Sequence, residues 1–202
     1  MGYTAIIDYH VGNLASIRHA LDYIGAETQV TAEEAVLERA EGIILPGVGA
    51  FPDAYQELKK RGLPEVLRRQ AGKKPILGIC LGMQLLLGSS TEIRPCRGLD
   101  FVPGRVERIQ TNYKLPHIGW NALHFCTPSP LFCGIEEGAY VYFVHTFCAL
   151  PEHRESIYAV TDYGTEVVAA VGKGNVYGTQ FHPEKSGDVG LEILKNFVRL
   201  QG

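Results

Sequence analysis

No run of about 18 consecutive apolar residues occurs, so no membrane-crossing helix is expected. No C-x-x-C pair occurs either. The five cysteines, Cys80, Cys96, Cys126, Cys133 and Cys148, are odd in number and irregularly spaced. That pattern argues against a disulfide framework or a zinc ribbon, and a reducing cytoplasm is the expected setting. Charge of one sign is also lacking: 19 Lys and Arg against 22 Asp and Glu leave a formal net charge of −3. Such a chain has no strong field for phosphate backbones or anionic lipid, so neither nucleic acid nor a membrane is expected as a partner. The densest basic stretch (Arg68, Arg69, Lys73, Lys74) ends an expected helix and complements its dipole on a solvated face. No basic region with a long apolar run opens the sequence, so no secretory signal is expected. Ile6 stands where a myristoylation signal would need Ser or Thr. Repeats, linkers and low-complexity tracts are missing.

What is present is an ordinary globular composition: 202 residues, 46% hydrophobic and 20% charged. One core can serve a chain up to roughly 250 residues, so a single domain over 1–202 is expected. The first half alternates short apolar strands with amphipathic helices. TAIIDY is a β-branched run, and after Asn13 apolar residues recur at Leu14, Ile17, Leu21 and Ile24, with Gly25 at the helix end. A strand near Glu27–Val30 and a short helix near Ala32–Arg39 follow. GIILPGVGAF reads as a strand entering a Gly-rich loop, 53–71 as helix broken near Gly62 and Pro64, PILGI as a buried strand and LGMQLLL as a helix. FVPGRVERI, HIGWNALHF, AYVYFVHTF, SIYAVTDY and TEVVAAV are strand-like, VGKGNVYG suits a tight hairpin, and a last helix fits Val189–Leu200. The fold class is therefore α/β: a three-layer sandwich with a central, mostly parallel sheet and antiparallel strands in the C-terminal half.

Three segments could carry chemistry. In GICLGMQ a buried strand ends at Cys80 and a helix begins directly after it, with Gly78 and Gly82 on either side. This is the pattern of a nucleophile elbow in cysteine form, whose helix N-terminus favours a thiolate. A buried structural cysteine is the other reading. In FHPEKS, Pro183 biases His182 toward extended backbone, which puts His182 and Glu184 on one face. A carboxylate so placed can orient an imidazole, though a loop His beside a surface Glu would read the same way. Together the segments supply nucleophile, base and orienter for acyl transfer, provided the fold joins residues about 100 positions apart. In LPGVGAF, the N–H of Val48 or Gly49 could join that of Leu81 in an oxyanion hole, or the segment is a plain strand–helix turn.

PGVGAF, GICLGMQ, YFVHTF and FHPEKS occur in the order seen in class I (triad) glutamine amidotransferases, which the whole chain resembles. DYHVGNLASI, PHIGWN and the Lys after HPE resemble most the glutaminase subunits of imidazole glycerol phosphate synthases, and the family fold is flavodoxin-like. The resemblance implies that Cys80 attacks the carboxamide of L-glutamine, that His182 moves the protons and that Glu184 holds His182. It implies substrate contacts by Gly47, Gln84, Glu92, His145, Thr146 and Phe147. It implies no cofactor. His117, His124 and Cys126 lack metal-ligand spacing, so no metal ion is expected. The resemblance also implies a heterodimer with a separate (β/α)₈-barrel cyclase subunit. Asn13, His117, Trp120, Asn121 and Lys185 would lie at that interface. Ammonia would pass through an internal channel to a phosphoribulosyl-formimino aminoimidazole carboxamide nucleotide, giving imidazole glycerol phosphate and aminoimidazole carboxamide ribotide.

His10 stands where this family usually has Gly, and Phe147 where Tyr is frequent. Gly47 and Gly49 would let a loop peptide turn over, so that docking of the liganded cyclase brings an N–H to the oxyanion site. Other readings cover parts of the sequence. One is a glutaminase serving anthranilate, aminodeoxychorismate, purine, pyrimidine or pyridoxal phosphate synthesis; the GGES-like stretch of the pyridoxal branch is missing. The others are a catalytically silent binding subunit and a flavodoxin-like nucleotide binder.

Overall fold

The computed structural model describes residues 2–10 and 12–201; Val11, inside the DYHVGNLASI motif, lies outside the described residues. Eight strands form the central sheet, in the order β2-β1-β3-β4-β14-β13-β12-β9. The parallel part is β1 (Thr4–Ile7), β2 (Thr28–Thr31), β3 (Gly42–Leu45), β4 (Ile76–Ile79) and β14 (Val176–Thr179). Antiparallel strands extend it: β13 (Glu166–Lys173), β12 (Ile157–Asp162) and β9 (His124–Phe125). β1, β3 and β4 are buried on both faces, which is why they read as unbroken apolar runs, whereas β2 is an edge strand with Gln29 and Val30 exposed.

Their side chains divide by the two-residue period. Ala5, Ile7, Ile43, Leu45 and Ile76 join one core; Ile6, Ile44, Leu77 and Ile79 join the other. Helices α2 (Glu34–Arg39), α3 (Phe51–Lys60), α4 (Leu63–Ala71) and α5 (Leu81–Leu85) cover the first face through Leu37, Leu58, Leu67 and Met83. Helices α1 (Leu14–Tyr23) and α6 (Gly187–Arg199) cover the second through Ile17, Leu21, Ile193 and Phe197. The result is the expected three-layer sandwich.

Several boundaries differ from the sequence reading. The expected LGMQLLL helix stops at Leu85, because Leu87 already enters β5 (Leu87–Ser90). With β6 (Cys96–Arg97), β7 (Val102–Arg108) and β11 (Phe147–Pro151), β5 builds a separate four-stranded sheet. AYVYFVHTF is two strands, not one. β10 (Tyr140–His145) pairs with β8 (His117–Ala122) in a two-stranded ribbon, whereas β11 joins the four-stranded sheet, and the chain changes sheets at Thr146. HIGWNALHF likewise parts at Leu123 into β8 and β9. The Gly62 and Pro64 signals held: α3 ends at Lys60 and Pro64 lies in the first turn of α4, where its missing N–H costs nothing.

Candidate active site

The elbow strand β4 lies between β3 and β14 in the sheet, and all three run parallel. Ile79 is level with Thr179, so Cys80 and Gln180 leave the sheet side by side, and the loop after Leu45 leaves beside them. Adjacency in the sheet, not proximity in sequence, thus brings 45–51, Cys80 and 180–184 together.

Cys80 has φ 54° and ψ −111°, a left-handed conformation rarely taken by a side chain with a Cβ. The glycines around it permit the close approach of strand and helix. A Cβ on Gly78 would come within 2.6 Å of the Gly82 carbonyl oxygen, and one on Gly82 would overlap the carbonyl oxygen of Leu45. Gly47 is equally confined, by the Gly82 N–H, Leu81 and the Tyr9 hydroxyl.

His182 is buried, and its Nδ1 lies 2.7 Å from Glu184 Oε1; the two side chains are 3% and 0% exposed. The Cys80 sulfur stands beside the imidazole, both lining the same cavity. Burial pushes the imidazole toward the neutral form, but Cys80 and Glu184 outweigh burial and hold His182 up at about 9. Its backbone is fixed as well: the His182 N–H donates to the Tyr142 carbonyl at 3.0 Å, and the Ser186 hydroxyl donates to the His182 carbonyl at 2.7 Å.

This charge has a consequence for stability. His182 binds its proton more tightly folded than unfolded, where it titrates near about 6.5. Its contribution is therefore complete below about pH 6.5 and is lost as pH rises through about 9. The melting temperature of the wild-type chain should fall between pH 7 and pH 10, and that of Glu184→Gln should fall less. Thermal unfolding of both proteins at pH 6, 8 and 10 checks this; parallel pH profiles would remove Glu184 as the group that holds the cation.

A cavity of about 300 Å³ opens over the sulfur, lined by Val48, Gly49, Cys80, Leu81, Gln84, Glu92, Pro116, Val144, His145, Thr146, Phe147 and His182. Of the expected pocket residues, only Gly47 lies outside this lining; it packs against the elbow instead. Gly49 has φ 99° with open space around it, so the freedom of this loop resides at Gly49 more than at Gly47. Gln84 Nε2 donates to the Phe147 carbonyl at 2.9 Å and to Gln180 Oε1 at 3.0 Å. Glu92 faces the cavity while its Oε2 accepts the Phe51 N–H at 2.8 Å, tying it to the first turn of α3. Burial raises the Glu92 carboxyl, the Phe51 N–H opposes this, and nearby Asp53 adds to it.

His145 forms the far wall. Its Nδ1 donates to the Phe147 carbonyl at 2.8 Å, and its Nε2 meets His117 Nδ1 at 3.0 Å. Burial drives His145 down to about 3, a drop opposed by the Phe147 carbonyl and reinforced by His117 and His182. It is therefore neutral at ordinary pH, so Nε2 accepts from His117. His117 is stacked between Phe143 and Tyr163 and reaches Asn121 through its Nε2 at 2.9 Å.

Of the expected interface residues, one is buried. His117 is 0% exposed, so it can meet a partner only through its neighbours; Phe143 and Tyr163 cover both its faces. Trp120 is 52% exposed and shares an outward face with Ile118 and Tyr140. Asn13 caps α1 without a side-chain hydrogen bond, Asn121 Nδ2 donates to the Asp162 carbonyl, and Lys185 is exposed just after Glu184. Sequence reasoning missed Gln180, Ser186 and Tyr9. Tyr9 is buried, and its hydroxyl donates to the Pro46 carbonyl at 2.7 Å, pinning the start of the 46–50 loop. Only Ser186 carried a signal, as the last residue of FHPEKS.

The sequence profile described as glutamine amidotransferase class-I matches residues 5–200. The chain belongs to the class-I glutamine amidotransferase family. Relatives place it in a narrower branch. It is 49% identical over 195 residues, 96% of this chain and 92% of the relative, to imidazole glycerol phosphate synthase subunit HisH of Bacillus thuringiensis (strain Al Hakam). The subunit of the same name from Bacillus cereus (strain G9842) is 50% identical over the same shares. Among solved structures, one described as glutamine amidotransferase superposes with a TM-score of 0.77 at 19% identity, each chain fully covered. A chain in the PurLQS structure from Thermotoga maritima superposes with a TM-score of 0.74 at 20% identity, with 98% of both chains covered. At such identities the likeness is one of fold.

Proposed function

We propose that this class-I glutamine amidotransferase hydrolyses glutamine through Cys80, His182 and Glu184, with the 202 residues acting as one domain. It is the glutaminase subunit of an imidazole glycerol phosphate synthase, in histidine biosynthesis, the reading its HisH relatives carry. What supports the residue roles above all is the buried His182–Glu184 pair at 2.7 Å, beside a positive-φ cysteine at the floor of the same cavity.

The Cys80 sulfur attacks the carboxamide carbon, and the carbonyl oxygen becomes an oxyanion held by the Leu81 N–H and one from Val48 or Gly49. His182, kept cationic by Glu184, gives its proton to the departing nitrogen, and ammonia leaves a glutamyl thioester. Neutral His182 then takes a proton from water, which attacks the thioester carbon. Glutamate departs and the sulfur is restored. Glu92 offers charge to the α-ammonium of glutamine, and Gln84 with the 145–147 segment holds its backbone end.

The partner in this reading is a (β/α)₈-barrel cyclase, docked on the face that bears Trp120, with Asn13, Asn121 and Lys185 around it. Ammonia passing directly between the subunits escapes protonation in the cytoplasm. The positive φ of Gly49 and the open space around it support a loop that presents its oxyanion donor only after docking. Adding a histidine-pathway cyclase with its nucleotide ligand should raise glutamine hydrolysis by about 10²–10³-fold, the usual worth of an oxyanion donor. Glutamate release, measured with and without cyclase, checks this; an unchanged rate would remove the loop switch. Failure of that cyclase to form its nucleotide product in a glutamine-dependent way would point to another acceptor.

A further inference from the structure

We propose that Gln180 is a positioning residue for the nucleophile: a buried carboxamide, oriented by Gln84, that holds an N–H against the Cys80 sulfur. The proposal deepens the glutaminase reading of this site.

Gln180 follows Thr179 at the end of β14, level with Cys80 at the end of β4. Its backbone N–H donates to the Ala169 carbonyl at 2.8 Å, so sheet pairing fixes its place. The chain bends at Gln180 and Phe181, so that Phe181 enters the core that also holds Cys80 while His182 lines the cavity beside the sulfur. Gln180 therefore reaches the sulfur from within the protein and His182 flanks it at the cavity.

The orientation of the Gln180 carboxamide follows from its neighbour. Both hydrogens of the Gln84 amide nitrogen are committed, one to the Phe147 carbonyl and one to Gln180 Oε1. Gln180 must therefore receive at its oxygen, which turns its nitrogen to the sulfur, at 3.7 Å. The reversed amide would set nitrogen against nitrogen and a carbonyl oxygen against a sulfur anion. A directed N–H favours the thiolate over the thiol, because a hydrogen bond to a charged acceptor outweighs one to a neutral acceptor. Gln180 is 0% exposed and lies outside the cavity lining, so it acts through Cys80 and not on the substrate. The same bridge joins the nucleophile to Gln84 and Phe147 on the pocket wall, which fixes the sulfur relative to the wall that receives the substrate.

The test uses two variants of the full chain. Gln180→Met keeps the volume and removes both polar atoms; Gln180→Glu keeps the acceptor for Gln84 and removes the donor. The readout is the rate of Cys80 alkylation by iodoacetamide between pH 6 and pH 10, followed by mass spectrometry on the peptide carrying Cys80. The pH of half-maximal alkylation should move up by about one unit in Gln180→Met, and further in Gln180→Glu. The kcat for glutamine hydrolysis should fall with it. A folded Gln180→Glu chain with the wild-type alkylation profile would overturn the proposal, even if Gln180→Met fails to fold. Alkylation needs no glutamine turnover, so that outcome would leave Cys80 standing as the nucleophile. Loss of turnover in Cys80→Ser tests the nucleophile separately.

Discussion

Cys80→Ser should reduce glutamine hydrolysis by about 10⁴-fold or more, with and without the cyclase, while glutamine binding is largely kept. The site is fitted to sulfur: Gln180 Nε2 stands 3.7 Å from Sγ and the Val144 carbonyl 4.0 Å, contacts that the smaller, closer-bonding oxygen does not span. A hydroxyl also yields its proton to an imidazole far less readily than a thiol does. The substitution removes one atom's polarisability and leaves the cavity walls in place, so Gln84, Glu92 and the 145–147 segment remain to hold glutamine. Glutamate release and calorimetric glutamine binding, measured on the same preparation, separate the two effects. Residual turnover within tenfold of wild type would mean that Cys80 is not the nucleophile.

The second large effect is on stability, from a methyl group placed where only a hydrogen fits. Gly82→Ala should destabilise the chain by about 3 kcal/mol. The new methyl would overlap the Leu45 carbonyl oxygen, a backbone atom of β3 that no rotamer change can move. Relief requires α5 to lift from β3, and Cys80 stands at the start of α5. For a chain of this size the melting temperature should drop by about 6–12 °C. Glutaminase activity should fall with it, measured well below the transition. Gly72→Ala is the control: Gly72 has φ −90° and no heavy atom within 4 Å of its would-be Cβ, so this change should be neutral or slightly stabilising. Equal unfolding curves for the two variants would show that the elbow tolerates a side chain at 82.

The parallel half of the fold was legible because strands buried on both faces and amphipathic helices have distinct periods. Leu14, Ile17 and Leu21 could be nothing but one face of a helix. The appended strands were harder. β5 and β6 are short, with Gly88, Ser89, Ser90, Cys96 and Arg97 carrying little apolar pattern, and only the pairing of β5 with β7 and of β6 with β5 makes them strands. The change of sheet at Thr146 is likewise a tertiary event inside one continuous β-prone run. At the site, Cys80 and His182 were readable because glycine and proline impose backbone geometry that chemistry can use. Gln180 and Tyr9 were not, since a Gln or a Tyr beside a strand is unremarkable until its neighbours are known. His10 illustrates the reverse. Its φ of 67° is the conformation glycine adopts most easily, which gives the unusual His at that position a physical meaning.

The three segments that meet at the sulfur leave neighbouring strands of one rigid sheet, while Trp120, Ile118 and Tyr140 ride on the separate β8–β10 ribbon. In the proposed reading, the reacting atoms and the Trp120 part of the docking face therefore lie on different parts of the chain, while Asn13 and Lys185 lie outside the ribbon. In that reading, the outward side chains of the ribbon can change to suit another acceptor enzyme, so long as its backbone keeps the Tyr142 carbonyl on His182 and Val144 and His145 in the cavity wall. An architecture of that kind is a reusable ammonia source, in which diversification needs only a new address on the outside.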